Sequence, residues 1–175
     1  MLLPQLLFAQ PTVAPENNVK ASYLLLFTRF VEWPASAFTS SNAPIVVGVL
    51  GDDSFRGAVE KTLLGQMSDG RTLEIRRVRS LTEAEACHLL FIHRDSDDWN
   101  EADWFARLRN KPVLTVGESG RTIERGGVVE FVLEEKRVRF DASWQAMVQA
   151  GLKIRSPMLS SARKVHQKPT NKRTP

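Results

Sequence analysis

The chain has 175 residues, of which 42% are hydrophobic and 25% are charged, the composition of one globular domain with its own core. Its net charge is +4, yet residues 1–154 hold only 18 of the 24 basic residues and all 20 acidic ones. The folded part therefore lacks the basic excess of a nucleic-acid-binding surface, and binding to nucleic acid is not expected.

The first 16 residues are predicted to be a leader that precedes the folded domain. Their apolar stretch, Met1–Ala9, is much shorter than a bilayer-spanning helix. We interpret it as the remnant of a secretory signal peptide cleaved near Ala9, with an ordinary unstructured leader as the alternative. No later stretch is long and apolar enough to predict a transmembrane helix.

The domain is predicted to start with a deeply buried helix between Asn17 and Trp33, which Pro34 ends. A continuous run of apolar, often β-branched residues at Ile45–Leu50 predicts a central strand that is covered on both faces. Strands and helices then alternate, which predicts βα units and a mostly parallel sheet. The apolar face of the first helix is predicted to hold Val19, Tyr23, Leu26, Phe27 and Phe30, with Leu24, Leu25 and Val31 widening the stripe. The strands are predicted at 45–50, 72–78, 87–92 and 112–116, and the helices at 55–63, 81–86 and 98–109.

The pattern changes after Gly126. Residues 128–133 and 137–140 flank a charged turn and predict an antiparallel hairpin. Helices are predicted at 143–152 and 157–165. The predicted fold is therefore one α/β domain over residues 17–160, with a mixed, mostly parallel sheet, helices on both faces and a carboxyl-terminal β-hairpin.

The last residues, 161–175, are predicted to form a basic, disordered tail, because lysine, arginine and proline predominate there and no acidic residue occurs. A weaker hypothesis is that this tail contacts an anionic membrane surface, where each basic residue contributes about 1 kcal/mol.

Polar residues follow three of the predicted strands. Asp52 and Asp53 follow the first central strand, His93 follows the next, and Glu118 follows the third. Because ligands bind outside the carboxyl ends of strands in open parallel sheets, these side chains are candidates for a ligand site, a divalent-metal site or acid/base chemistry. The alternative that we favour is that they are solvated loop residues, since no motif of fixed spacing supports a site.

No established catalytic or cofactor-binding motif occurs in the chain, so neither enzymatic activity nor a cofactor is predicted. Cys87, the one cysteine, cannot form an internal disulfide. It lies in an apolar run and is predicted to be a buried, unreactive thiol. His88 lies in the same strand and is predicted to be a packed core residue.

Several segments, taken in their order and spacing, resemble the YfiR-like family over residues 18–160. The chain departs from the family pattern at Ala142–Ser143, where the family usually has Ile-Asn, and at Arg155–Leu159, which replaces a serine-rich ending. The segments that carry the resemblance are Lys20–Tyr23, Val31–Pro34, Val49–Phe55, Cys87–Ile92, Pro112–Gly117, Gly126–Leu133, Arg137–Phe140 and Gly151–Ile154.

This resemblance implies a periplasmic, often dimeric α/β protein that catalyses nothing itself. Such a protein inhibits an inner-membrane diguanylate cyclase through the exported sensing region of that enzyme, and so lowers cyclic di-GMP and biofilm formation. Two alternatives stay open: a periplasmic receptor for a small molecule and a metal-dependent hydrolase.

The partner-binding surface is predicted in the carboxyl-terminal segment, where the two departures from the family pattern also lie. Four apolar side chains there are candidates for an exposed cluster, with packing of the same segment against the sheet as the alternative. The four are Leu152, Ile154, Met158 and Leu159.

Overall fold

The computed structural model describes residues 15–51, 53–93 and 101–167, with only the backbone described at Asp53 and residues 101–103. The helices and strands alternate along most of this part of the chain. The helices are α1 (Glu16–Phe30), α2 (Asp53–Leu63), α3 (Leu81–Glu85), α4 (Glu101–Leu108), α5 (Trp144–Gln149) and α6 (Ser156–Ser161). The strands are β1 (Val31–Glu32), β2 (Ile45–Leu50), β3 (Met67–Ser68), β4 (Arg71–Arg77), β5 (Leu89–Ile92), β6 (Leu114–Gly117), β7 (Val129–Glu134), β8 (Arg137–Ser143), β9 (Lys153–Ile154) and β10 (Lys164–His166).

Eight strands form the main sheet in the order β10-β8-β7-β6-β5-β2-β4-β3. Neighbouring strands are parallel except in the pairs β7/β8 and β3/β4, which are antiparallel. The predicted mixed, mostly parallel sheet is confirmed. The predicted hairpin is β7/β8, and its turn has positive φ at Glu135 (49°) and Lys136 (62°), the backbone twist that a two-residue hairpin turn favours.

Hydrophobic clusters cover both faces of the sheet. Alternate residues of β2 point to opposite faces, so Val47 and Val49 pack with α1 and α2, while Val46 and Leu50 pack with α3 and α4. The prediction of helices on both faces is therefore confirmed. The continuous apolar run of β2 reflects this double coverage, since all six of its residues are buried.

The first helix differs from the prediction in two respects. It ends at Phe30, three residues before Trp33, because Val31–Glu32 turns away to pair with Lys153–Ile154 in a separate two-stranded sheet. The predicted apolar stripe packs against the core except at Leu26, which is 42% exposed. The buried residues of the helix are Lys20, Ala21, Leu24, Phe27 and Thr28.

The carboxyl-terminal segment is more ordered than predicted. The shorter last helix ends at Ser161, and Lys164–His166 then pairs in parallel with β8 as an edge strand. The prediction of a disordered tail is therefore wrong for residues 161–167, and residues 168–175 lie outside the described part. Residues 153–167, which comprise β9, α6 and β10, are called the carboxyl-terminal arm below.

Candidate functional site

The order of the strands creates a crevice at the carboxyl ends of β2 and β5. The chain leaves β2 through α2 to form β4 on one side, then returns past β2 through α3 to form β5 on the other side. The crossovers thus leave β2 and β5 on opposite faces of the sheet. Ligands in open α/β sheets bind at such a switch point. His93 directly follows β5 at this edge, and Glu118 directly follows the neighbouring β6.

A buried ion pair lies at this edge. The ammonium group of Lys20, on α1, contacts the carboxylate of Glu118, and Glu16, one turn earlier on the helix, contacts the same ammonium group. The side chains of Lys20 and Glu118 are 6% and 4% exposed. Burying both charges is costly unless they stay paired. Because 98 residues separate the two partners, this pair fixes the start of α1 against the loop that follows β6.

His93 completes the cluster. Its Nε2 lies 3.2 Å from Oε1 of Glu118, and its side chain is 16% exposed. That oxygen of Glu118 nevertheless accepts no hydrogen bond within the described structure. Lys20 and His93 thus both contact the carboxylate of Glu118, which retains an unused hydrogen-bonding capacity.

A cavity of about 380 Å³ opens beside the cluster. The charged side chains form one side, and apolar residues of β7 form another, so the cavity combines ionic groups with an apolar wall. It is lined by Glu16, Lys20, Glu118, Ser119, Gly120, Phe131, Val132 and Leu133.

The structure thus brings together two of the four residues that the sequence indicated, His93 and Glu118. Asp52 lies outside the described residues, and Asp53 begins α2 with no side chain described. Lys20 was not predicted. The signal for it was present, since Lys20 is four residues before Leu24 and seven before Phe27 and so shares the buried face of the helix.

The described residues contain no group of three or more histidine, cysteine, aspartate or glutamate side chains able to hold a metal ion.

The arm is attached to the sheet by a second buried carboxylate. Asp141 on β8 is 3% exposed, and Arg163 donates to both of its oxygens at 2.8 and 2.6 Å. Nε2 of His166 lies 3.2 Å from the same carboxylate. Burial by itself would raise the pKa of Asp141, but the hydrogen bonds from Arg163 and His166 outweigh it and hold the pKa below its ordinary value. The arm therefore neutralises a charge that would otherwise be buried alone.

The four predicted partner-binding residues divide into two classes. Leu152 and Met158 are core residues, 3% and 4% exposed, so the expectation that they lie on an exposed cluster is wrong. Ile154 and Leu159 are partly exposed. For these two residues, a role in partner binding stays a prediction.

A contrasting polar site lies at the opposite end of β5. Nδ1 of His88 accepts a hydrogen bond from the backbone N–H of Val46 at 3.0 Å, and Nε2 lies 3.1 Å from the carbonyl oxygen of Ala37. This pattern assigns the proton to Nε2 and leaves the ring neutral. Burial lowers the pKa of His88, and the ring stacks on Phe38 at 4.4 Å between centroids. The prediction of a packed core histidine agrees with this geometry.

Cys87, next to it, is buried as predicted. Burial raises the pKa of its thiol to about 12, so the thiolate is scarce at neutral pH and the side chain is unreactive.

Comparison with known proteins gives one family match and two similar solved structures. The model of the YfiR/HmsC-like family, DUF4154, matches residues 17–163. A conserved domain protein from Vibrio cholerae has a TM-score of 0.55 and 11% identity over 83% of this chain, and an ABC domain in complex with L-Trp from Streptococcus pneumoniae has a TM-score of 0.47 and 12% identity over 69%. The chain spans 59% and 54% of those two proteins. At 11% identity the first supports the fold alone. Among curated proteins, no match was found.

Proposed function

The chain belongs to the YfiR/HmsC-like family, and from this premise we propose that it binds the periplasmic sensing region of a membrane-bound diguanylate cyclase and inhibits that enzyme. The family is periplasmic, regulatory and non-enzymatic, and it acts in cyclic di-GMP signalling. Inhibition would lower cyclic di-GMP and with it biofilm formation. Within the described ranges, no helix is long and apolar enough to cross a membrane.

We propose the carboxyl-terminal arm as the surface that the cyclase contacts. Ile154 and Leu159 are partly exposed apolar side chains on this arm, and Val148, on the preceding helix α5, is 56% exposed. Apolar side chains close together at a surface are typical of protein interfaces. Beneath them, Leu152 and Met158 belong to the core, which gives the surface a rigid support.

Charge substitutions separate partner binding from folding. We expect Ile154→Glu and Leu159→Glu to give folded protein with at least tenfold weaker binding to the purified sensing region, because an interface excludes an unpaired carboxylate. Leu64→Glu is the matched control, since Leu64 is 80% exposed on another part of the surface. Loss of the fold at position 154 or 159, or unchanged binding, would contradict the proposed surface.

A genetic experiment tests the function itself. Deleting the gene is expected to raise cyclic di-GMP, and deleting the gene of the partner cyclase as well is expected to cancel the rise. An unchanged level after the first deletion, or a rise that survives the second, would reject the inhibitor proposal and leave the small-molecule receptor as the better candidate. The observation that favours the receptor is the cavity beside Glu118.

A homodimer is proposed through the outer edge of β4. The register pairs Val49 with Arg77, and the N–H of Val78 donates to the carbonyl of Val49. In a parallel ladder this geometry directs the backbone groups of Leu73, Ile75 and Arg77 away from β2. Beyond Thr72, no other described strand pairs with that edge.

The charges on β4 favour one antiparallel register between two copies. When Ile75 lies opposite Ile75 of the second copy, Glu74 of each copy lies opposite Arg76 of the other. A shift of two residues instead places Glu74 opposite Glu74, or Arg76 opposite Arg76, so that like charges face each other. Light scattering is expected to show that Glu74→Arg yields a monomer and that adding Arg76→Glu restores the dimer. A dimer that tolerates the single substitution would contradict this edge.

The proposed contact between the basic tail and an anionic membrane depends on residues outside the described part. Arg163 is already paired with Asp141, which leaves Lys164, Lys168, Lys172 and Arg173 as candidates. Liposome binding that is unchanged after deletion of residues 168–175 would remove the proposal for the last three of these residues.

A further inference from the structure

The cluster around Glu118 carries an excess of negative charge. Two carboxylates, Glu16 and Glu118, share the single ammonium group of Lys20. Lys20 and Glu118 are both more than nine-tenths buried in their side chains, whereas Glu16 is 37% exposed, so water compensates the charge of Glu118 poorly. The cluster therefore favours an additional positive charge.

One oxygen of the Glu118 carboxylate has unused capacity to accept a hydrogen bond. Oε1 of Glu118 is buried and accepts no hydrogen bond within the described structure, although Nε2 of His93 lies 3.2 Å away. Glu118 also lines the cavity of about 380 Å³. A buried carboxylate oxygen without a hydrogen bond costs free energy, so a positive charge beside the carboxylate of Glu118 is stabilising.

The residues that line the cavity indicate the chemistry of the rest of the ligand. Phe131 and Leu133 project from the same face of β7, and Leu133 is 53% exposed. Ser119 and Gly120 form part of the rim beside Glu118. A ligand that reaches Glu118 therefore places its remaining atoms against hydrocarbon.

We propose that this cavity binds a small organic ammonium ion with a short hydrocarbon chain, which goes beyond the regulatory function proposed above. The ammonium group pairs with the carboxylates of Glu16 and Glu118, which both line the cavity, and the chain lies against Phe131 and Leu133. A carboxylate of the same size is disfavoured, because it meets two carboxylates and an ammonium group that is already paired with both.

Titration calorimetry on the purified chain with n-butylammonium tests the charge preference, and thermal unfolding with the same probe gives an independent readout. Butyrate and n-butanol are the matched probes, since they keep the hydrocarbon and change only the head group. We expect n-butylammonium to bind at least tenfold more tightly than either and to raise Tm. Equal binding of butyrate, or no binding of n-butylammonium, would overturn the proposal.

Two variants locate the bound ion. Glu118→Gln is expected to weaken n-butylammonium binding at least tenfold. Because this variant also disturbs a buried ion pair, Leu133→Arg provides the second test: it leaves the cluster intact and supplies a tethered cation at the mouth, which is expected to abolish binding in a folded protein. Leu64→Arg adds the same charge at a remote exposed site and is expected to bind normally. Unchanged binding by Leu133→Arg would place the ion elsewhere and overturn the site.

Discussion

His88 and His93 flank the same strand, β5, and their surroundings differ in kind. At the amino end, His88 exchanges hydrogen bonds with the backbone of Val46 and Ala37 and has no ionic partner among its hydrogen bonds. At the carboxyl end, His93 lies against the ion pair of Lys20 and Glu118. The comparison shows that residues of one type, five positions apart, serve structure at one end of the sheet and a candidate binding site at the other.

The topology explains the difference. The 3₁₀ turn Ala35–Ala37 and Phe38 cover the amino end of β5, so the backbone itself satisfies His88, and Nε1 of Trp33 donates to the carbonyl of His88 at 2.9 Å. At the carboxyl end, the crossovers leave β2 and β5 toward opposite faces of the sheet. Charged side chains there pair with one another beside open space.

The largest expected effect comes from breaking the ion pair at the carboxyl end. Lys20→Met leaves Glu118 buried without its main partner, and we expect a loss of about 3–5 kcal/mol in the free energy of unfolding. The double variant Lys20→Met with Glu118→Leu removes both charges and is expected to recover most of the loss. Urea unfolding measures both values. A loss below about 1 kcal/mol for the single variant would mean that the pair is hydrated despite its burial.

Removing the structural histidine is expected to have the next largest effect. His88→Leu leaves the buried N–H of Val46 without an acceptor, which costs about 1–3 kcal/mol. His88→Asn keeps an acceptor near the position of Nδ1 and is the matched control, with a smaller expected loss in the same urea experiment. Equal losses in the two variants would assign the role of His88 to ring packing and not to the hydrogen bond.

The pH dependence of stability tests whether His88 is neutral in the folded protein. Because burial lowers the pKa of His88 in the folded state, the unfolded chain binds the proton more readily as the pH falls. The contribution of His88 is therefore complete above its unfolded pKa of about 6.5 and is lost as the pH falls toward the folded value. The free energy of unfolding, measured from pH 8 to pH 5, is expected to fall less in His88→Asn than in the parent chain. Parallel curves for the two proteins would contradict a neutral His88.

The smallest expected effect is at the other histidine. His93→Gln keeps a polar side chain at a partly exposed position, and we expect a change of about 1 kcal/mol or less in the free energy of unfolding. The free energies of unfolding of His93→Gln and His88→Leu, measured in the same experiment, compare the two ends of β5 directly. A loss at position 93 as large as at position 88 would show that both ends are structural.

The sequence predicted the central layers of the fold well, because their signal is local. The apolar run 45–50 coincides with β2, and the hairpin was evident from its alternation and turn. The pattern predicts the first helix and most of its buried stripe, but it places Leu26 inside and does not include Lys20. The structure reverses the two because the ion pair with Glu118 makes burial of Lys20 tolerable.

By itself the sequence determined the fold class, the hydrophobic strands and the strand ends at which His93 and Glu118 lie. Tertiary structure alone decided the pairing of Lys20 with Glu118, the pairing of β1 with β9 and the order of the arm through Arg163 and Asp141. The physical reason is that periodic burial leaves its record within a few neighbouring residues. An ion pair or a two-residue strand instead depends on partners far apart in the chain, which only the folded arrangement brings into contact.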